Sequence, residues 1–302
     1  MDIKELIKKK LNNKLLYKLS FCGIALYCDY CITERLPEID QDFSLIDNLK
    51  DGDKIFIDFY TNFDYNIFLH KLENTNNKYN FFICLEPLLD KDRLLPLLKY
   101  SYHIFLQNNI YDIPNVHVLP IGIRDCENIL PCHKGFNQIY LYNEKKEERT
   151  KKYLCLLCFT NHSYRNNCYN YFDNKDYVIN LNKLNFRIPL NNLCGYVPID
   201  INYQYTHESL YILCHVGNGL DTHRFFEAIY LNSIPIVVKT NTNFDKLYNI
   251  FPCVLVDKWE DITKELLMDN YDIYNKKLTE FNKKYNNFLT DIDSIYELLL
   301  LL

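Results

Sequence analysis

Short apolar runs alternate with amphipathic segments along the first half of the 302-residue chain. The runs at 54–59, 79–85, 102–106 and 116–119 have the length of buried strands. The segments that predict helices are 3–19, 63–74 and 90–100. This alternation is typical of a parallel sheet with helices on its faces, so it predicts one α/β lobe.

The same pattern starts again after residues 143–152, the most polar run of the chain. Strands are predicted at 153–159, 176–180, 210–216, 234–238 and 253–256. Helices are predicted at 163–172, 222–231, 243–249, 259–287 and 291–302. We therefore place a boundary near 145–150, with an N-terminal lobe at 1–148 and a C-terminal lobe at 149–302. Each half is long enough to bury its own core.

The composition and charge exclude several classes of function. A net charge of -5 without a basic stripe gives no reason to expect nucleic acid or an anionic membrane as the partner. The charged N-terminus lacks the apolar core of a signal peptide, and no apolar run is long enough to span a bilayer. We therefore expect a cytoplasmic protein. The excess of Tyr, Asn, Lys and Ile favours an A/T-rich genome, such as that of a protist or a large DNA virus.

Two patterns suggest a metal but have a simpler interpretation. A zinc site needs four converging ligands. Cys155 and Cys158 instead lie in a predicted buried strand, where a thiol behaves as a small apolar side chain. The Asp51-Gly52-Asp53 triplet begins a strand, whereas a metal-binding Asp-x-Asp site should end one, so it predicts a turn. We predict reduced core thiols and no metal.

A glycine pair predicts a binding turn in the C-terminal lobe. Gly217 and Gly219 follow a buried strand and precede a helix that Asp221 or Thr222 is expected to cap. Without Cβ atoms the backbone can turn sharply and approach a ligand. The positive end of the following helix favours a phosphate, and ligands of open α/β sheets bind at the carboxyl ends of strands.

The helix that follows carries polar side chains suited to a nucleotide. His223, Arg224 and Glu227 are three or four residues apart and lie on neighbouring parts of one face. Arg224 is suited to a diphosphate and Glu227 to the hydroxyls of a ribose. The alternative is a capped helix whose surface pairs contribute under ~1 kcal/mol each.

Residues 217–237, followed by 252–263, resemble the C-terminal lobe of exostosin-like glycosyltransferases. The shared pattern is a glycine-rich turn, an Asp-x-His-Arg at Asp221 to Arg224, a helix containing Glu227, and a strand with an internal Pro. Residues 105–109 and 119–123 also resemble inter-strand segments of these proteins, so the resemblance covers about 50–265 and is sharpest at 210–263. It implies an α/β fold of two Rossmann-like lobes facing a cleft, the GT-B architecture. It also implies a nucleotide-sugar donor, an acceptor that is a glycan, a protein or a small molecule, and no metal or other cofactor.

The resemblance adds donor contacts outside the glycine turn. Asn161 and Arg165 follow the first strand of the second lobe, where the family carries an Asn-rich loop and an Arg. A guanidinium there would neutralise the diphosphate leaving group. An Arg on the first turn of a surface helix is the open alternative. Asn218 completes the predicted donor set.

The catalytic base is expected from the first lobe, because the acceptor lies across the cleft from the donor. Asp58 and Glu86 both occur at strand ends, and we prefer Glu86 because it directly follows a buried strand. A retaining enzyme would need no such base, since the donor phosphate would take that role.

Two departures from the family support an alternative function. Phe226 stands where the family usually has Trp, and His215 stands where it usually has Pro. Together with the lack of a clear base, they are compatible with a catalytically inactive GT-B-like protein that binds a carbohydrate or nucleotide. A kinase is disfavoured because the chain lacks a GxxxxGK[ST] loop.

Overall fold

The computed structural model describes most of the two lobes. The described residues are 21–33, 43–59, 64–84, 88–123, 150–159, 163–184, 188–190, 193–285 and 292–301. The helix predicted at 3–19 lies outside them, and the predicted lobe boundary falls at the end of the undescribed segment 124–149.

Five parallel strands form the first sheet, in the same order as they occur in the chain. They are β1 (Tyr30–Ile32), β2 (Lys54–Asp58), β3 (Tyr79–Cys84), β4 (Ser101–Gln107) and β5 (Val116–Leu119). Its helices are α1 (Phe21–Tyr27), α2 (Tyr65–Glu73) and α3 (Lys91–Leu98). The central strand β3 is buried along its whole length, as expected when helices cover both faces of a parallel sheet.

A second parallel sheet of five strands follows. Its strands are β6 (Tyr153–Leu157), β7 (Val178–Asn180), β10 (Ser209–Leu213), β11 (Ile234–Val238) and β12 (Val254–Val256). Between β7 and β10 in the chain, β8 (Ile188–Leu190) and β9 (Leu193–Tyr196) form a separate antiparallel pair. The order across the sheet is β12-β11-β10-β6-β7. The two sheets confirm the predicted α/β class with two Rossmann-like lobes.

Seven described helices belong to the second half of the chain. They are α4 (Asn166–Phe172), α5 (Ile199–His207), α6 (His223–Tyr230), α7 (Lys246–Ile250), α8 (Lys264–Asp269), α9 (Tyr271–Lys284) and α10 (Ile292–Leu299). The pattern at 259–287 predicts one long helix, but the structure divides it into a 3₁₀ turn, α8 and α9. Thr263 accepts a hydrogen bond from Leu266 N (3.1 Å) and so caps α8, while Asn270 separates α8 from α9.

The last helix returns to the first lobe. Tyr296 of α10 packs on Tyr27, Phe82 and Phe105, with ring centroids 6.0, 6.2 and 5.4 Å apart. The sequence assigned this helix to the C-terminal lobe. Because α10 and α1 cover one face of the first sheet, a single apolar cluster runs from that face into the second lobe. The other face has a separate core that includes residues of α2 and α3.

The predicted turn and the predicted thiol core are both confirmed. Gly52 has a φ of 87°, and Lys50 N donates to Asp53 Oδ2 (2.8 Å) within the turn. The eight cysteines whose side chains the structure describes are buried, and none of them forms a disulfide. Within the described ranges, no helix is long and apolar enough to cross a membrane.

Candidate nucleotide-binding site

The strand order of the second sheet indicates where a ligand binds. From β6 the chain moves to β7 on one side, whereas from the neighbouring β10 it moves to β11 and β12 on the other. In open parallel sheets the crevice at such a reversal, at the carboxyl ends of the strands, is the usual ligand site. The described strands of the first sheet follow one another without a reversal. The site is therefore expected just beyond β6 and β10.

Arg165 and Gly217 meet at this point. Arg165 ends the 3₁₀ turn Ser163–Arg165 after β6, and its Nε donates to the carbonyl oxygen of Val216 (3.1 Å). Its Nη2 lies 3.6 Å from the place that a Cβ on Gly217 would occupy. A partly exposed guanidinium thus lies against the glycine turn at the reversal of strand order.

The guanidinium lies over one aromatic ring, which belongs to a row of three packed rings. Arg165 Cζ lies 5.6 Å from the centroid of the Phe159 ring, and the His215 ring lies 5.9 Å from that of Phe159. His215 also stacks on Trp259, at 5.5 Å and 21°. Burial lowers the pKa of His215, so its imidazole is neutral at neutral pH and packs as an aromatic ring. Trp259 stands in the acidic segment after β12 and is not among the residues predicted to bind the donor.

Arg224 and Glu227 project from α6 towards α5 and β6. Arg224 Nη1 donates to Asn202 Oδ1 (3.3 Å). Glu227 is 7% exposed and accepts from the hydroxyl of Tyr203 at 3.4 Å. Burial raises the pKa of the neighbouring Cys158 thiol, although Arg224 acts in the opposite direction. Glu227 is thus held inside the lobe, and Tyr203 occupies only one of the positions at which its two carboxylate oxygens can accept a hydrogen bond.

The sequence pattern does not indicate which residues hydrogen-bond to the polar side chains of α6. The pattern does not predict α5, whose Asn202 and Tyr203 hold the polar side chains of α6. Their positions follow from the packing of two helices that are distant in the chain. The apolar face of α6 is as predicted, because Phe225, Phe226, Ala228, Ile229 and Leu231 are all buried.

The absence of a side chain at Gly219 has a different cause from the one predicted. Neither Gly217 nor Gly219 has a left-handed backbone, so neither glycine is required for the turn itself. A Cβ on Gly219 would lie 2.5 to 2.8 Å from the side-chain atoms of Asn108, which follows β4 in the first lobe. The close approach at this position is made by the first lobe.

Asp221 and His223 also contact the first lobe. Asp221 Oδ2 accepts from Ile121 N (2.7 Å) and its Oδ1 accepts from Thr222 N (2.8 Å). His223 Nδ1 donates to the carbonyl oxygen of Gly122 (2.8 Å), so Nδ1 carries the proton. Thr222 is the N-cap of α6, without a side-chain capping bond. These predicted donor residues therefore have partners in the first lobe or the backbone.

The remaining predicted residues are less accessible or lie elsewhere. Asp58 ends β2 with no solvent exposure and accepts from the hydroxyl of Thr33 at 3.0 Å. Asn218 is exposed on the turn. Glu86 and Asn161 lie outside the described residues. Among the residues that the structure describes, no group of three or more His, Cys, Asp or Glu is placed to hold a metal ion.

Asp221 is expected to make stability depend on pH. Burial raises its pKa to about 7, although the amides of Ile121 and Thr222 act to lower it. Between about pH 4 and about pH 7 the folded chain keeps a proton that the unfolded chain has lost. The free energy of unfolding should therefore fall as pH rises through this window, by at most about 1.4 kcal/mol per pH unit.

Asp221→Asn isolates this contribution, because the amide has nearly the same shape and does not ionise. Urea unfolding of both proteins should give a difference in stability that shifts in favour of the Asp221→Asn variant as pH rises from about 4 to about 7. A difference that is constant across this range would contradict the raised pKa.

Comparisons with known proteins give a likeness of fold. No protein-family model matches the chain, and no curated protein matches it. A proposed UDP-N-acetylglucosamine 2-epimerase from Listeria monocytogenes aligns at a TM-score of 0.38 and 10% identity, covering 80% of this chain and 76% of that one. The S. aureus MnaA–UDP structure aligns at 0.34 and 13% identity, covering 84% and 78%. At these scores the assignment of fold class rests on the strand order described above.

Proposed function

We propose that this chain is a glycosyltransferase that takes a sugar from a nucleotide-sugar donor without a metal. The observation that carries the proposal is the approach of Arg165 to the Gly217 turn at the reversal of strand order. The exostosin-like pattern at 210–263 supports it, because that pattern implies a donor at the same turn. The acceptor would be held by the first lobe.

Positive charge is the main chemical requirement of this reaction when no metal takes part. The leaving nucleoside diphosphate develops negative charge, which guanidinium groups can stabilise through paired hydrogen bonds. Arg165 is our first candidate for that role because it lies beyond β6, and Arg224 on α6 is the second. The nucleotide base would contact the aromatic pair formed by His215 and Trp259.

In the transfer step, an acceptor hydroxyl oxygen bonds to the anomeric carbon as the bond from that carbon to the phosphate oxygen breaks. The electron pair leaves with the nucleoside diphosphate. The hydroxyl proton goes to a carboxylate of the first lobe if configuration is inverted, or to the donor phosphate if it is retained. Since Asp58 is fully buried and bonded to Thr33, Glu86 remains the preferred base.

Nucleotide binding is the first test. Trp259 is the only tryptophan of the chain, so fluorescence excited at its absorption edge reports on this ring alone. Titration with UDP, GDP, ADP and CMP should give a saturable change in emission with at least one of them. The same nucleotide should raise the melting temperature of both the wild type and Trp259→Phe. If none of the four nucleotides changes the emission or the melting temperature of the wild type, the proposed donor site is wrong.

The second candidate function is a catalytically inactive nucleotide- or carbohydrate-binding protein. It is favoured by the burial of Asp58, which removes one of the two candidate bases from reach of an acceptor. Incubation with the nucleotide sugar that matches the bound nucleotide separates the two functions. Slow release of free nucleotide supports the transferase, whereas binding without release supports the inactive protein.

A further inference from the structure

The turn that leads into α6 is held by the carboxyl ends of two first-lobe strands. Asn108 follows β4, and Ile121 and Gly122 follow β5. Asp221 N donates to Asn108 Oδ1 at 3.1 Å, and Ile121 N donates back to Asp221 Oδ2 at 2.7 Å. These reciprocal hydrogen bonds join residues at least 100 positions apart in the chain.

The contact is closely fitted as well as hydrogen-bonded. Asn108 is 3% exposed and has a φ of 56°, a left-handed conformation that Asn tolerates better than most residues. Its amide group fills the space beside Gly219, where a Cβ would come within 2.8 Å of three of its atoms. Asn108 therefore suits the left-handed backbone at its position, and Gly219 leaves the space that the Asn108 amide fills.

Separating these buried polar groups, or leaving one of them without its hydrogen-bond partner, costs free energy. Asp221 is 4% exposed, so losing the amide of Ile121 would leave a buried carboxyl group without that partner. The His223 ring adds a third bond, to the carbonyl oxygen of Gly122. An exposed ion pair between Lys246 and Asp112 (3.3 Å) also crosses between the lobes, but such pairs contribute little.

We propose that Asn108, Gly219, Asp221 and His223 form an inter-lobe latch that positions the donor-binding helix α6. The latch ends where α6 begins, and α6 carries Arg224 and Glu227. Opening the latch shifts the start of α6, and with it the side chains that face the donor. Donor affinity and latch closure are then coupled, and the coupling acts in both directions. The latch itself rests on the contacts alone, while its effect on the donor rests on the proposed function.

A pair of substitutions tests the fit between Asn108 and Gly219. Gly219→Ala places a methyl group against the amide, whereas Asn108→Gly removes the amide and keeps the left-handed backbone unstrained. Hydrogen exchange at the amides of 119–123 reports whether the latch is closed. Gly219→Ala alone should raise exchange by about tenfold or more, but should change it less than about twofold in the Asn108→Gly background.

Gly217→Ala is the matched control for this measurement. Its methyl group would meet Arg165 and Thr222 at 3.6 Å, which is ordinary contact, so exchange at 119–123 should stay near the wild-type rate. If Gly219→Ala does not fold, the double variant should fold again because the overlap is gone. Equal effects of Gly219→Ala in both backgrounds would overturn the latch.

The coupling is tested separately, with the nucleotide that binds the wild type. Asn108→Gly should weaken its affinity, since only the latched fraction of molecules presents α6 correctly. Faster exchange with unchanged affinity would overturn the positioning role. If no nucleotide binds the wild type, the proposed function fails, whereas the exchange measurements still decide whether the latch exists.

Discussion

Replacing Arg165 by Ala is expected to weaken the binding of a nucleoside diphosphate by about 10- to 100-fold. A charge-assisted hydrogen bond contributes about 1.5–3 kcal/mol, which corresponds to this range of affinity. The corresponding nucleoside, which has no phosphate, should lose far less affinity. Titration of wild type and variant with both ligands, followed through Trp259, measures the difference.

Two further variants show whether Arg165 contributes to diphosphate affinity through its charge or through the geometry of its guanidinium group. Arg165→Lys keeps the charge but not the planar fork, so it should recover part of the affinity. Arg93→Ala removes an exposed guanidinium from α3 in the first lobe and should leave diphosphate affinity unchanged. Equal losses with Arg165→Ala and Arg93→Ala would show a general charge effect and remove Arg165 from the site.

Phe226→Ala is expected to cost about 3–5 kcal/mol of stability, because the change leaves a cavity in a closed core. Phe226 has no solvent exposure and packs edge-on against Phe225 and Phe251, with centroids 5.0 and 5.5 Å away. Chemical denaturation should show a lower midpoint. This ring anchors the helix that carries Arg224, so binding should weaken as well.

Ile67→Ala is the matched control for the loss of a large apolar side chain. Ile67 is 50% exposed on α2, and a surface change of this kind costs within about 0.5 kcal/mol. A similar loss of stability in both variants would mean that the buried face of α6 contributes no more than an exposed position.

The repeating pattern of the chain was a sound guide to the fold because strands and helices have local periodicities. The strands predicted at 79–85 and 234–238 correspond to β3 and β11 within one residue at each end. Three or four residues are too few to show a period, so β1 and the pair β8–β9 were missed, whereas β5, β7 and β12 were predicted as apolar runs. The division of 259–287 into α8 and α9 depends on a single Thr cap and one Asn.

The candidate site was only partly accessible from the sequence. Arg165 and Gly217, both predicted as donor contacts, lie together because each follows a strand and those strands are neighbours in the sheet. The His215–Trp259 stack could not be predicted, since its two rings follow β10 and β12, which are not neighbours in the sheet. Asp58 was expected at a strand end, but its burial depends on Thr33 and the surrounding core.

Local signatures in the sequence were enough to specify the two α/β lobes, the thiol core and a glycine turn between a buried strand and a helix. The contacts of that turn, in contrast, depend on how the two lobes pack. Gly219 lacks a side chain because Asn108 occupies the space, and Asp221 accepts a hydrogen bond from an amide of the other lobe. Contacts between residues about a hundred positions apart leave no periodic pattern, so they emerge only when both lobes have folded and their sheet edges meet.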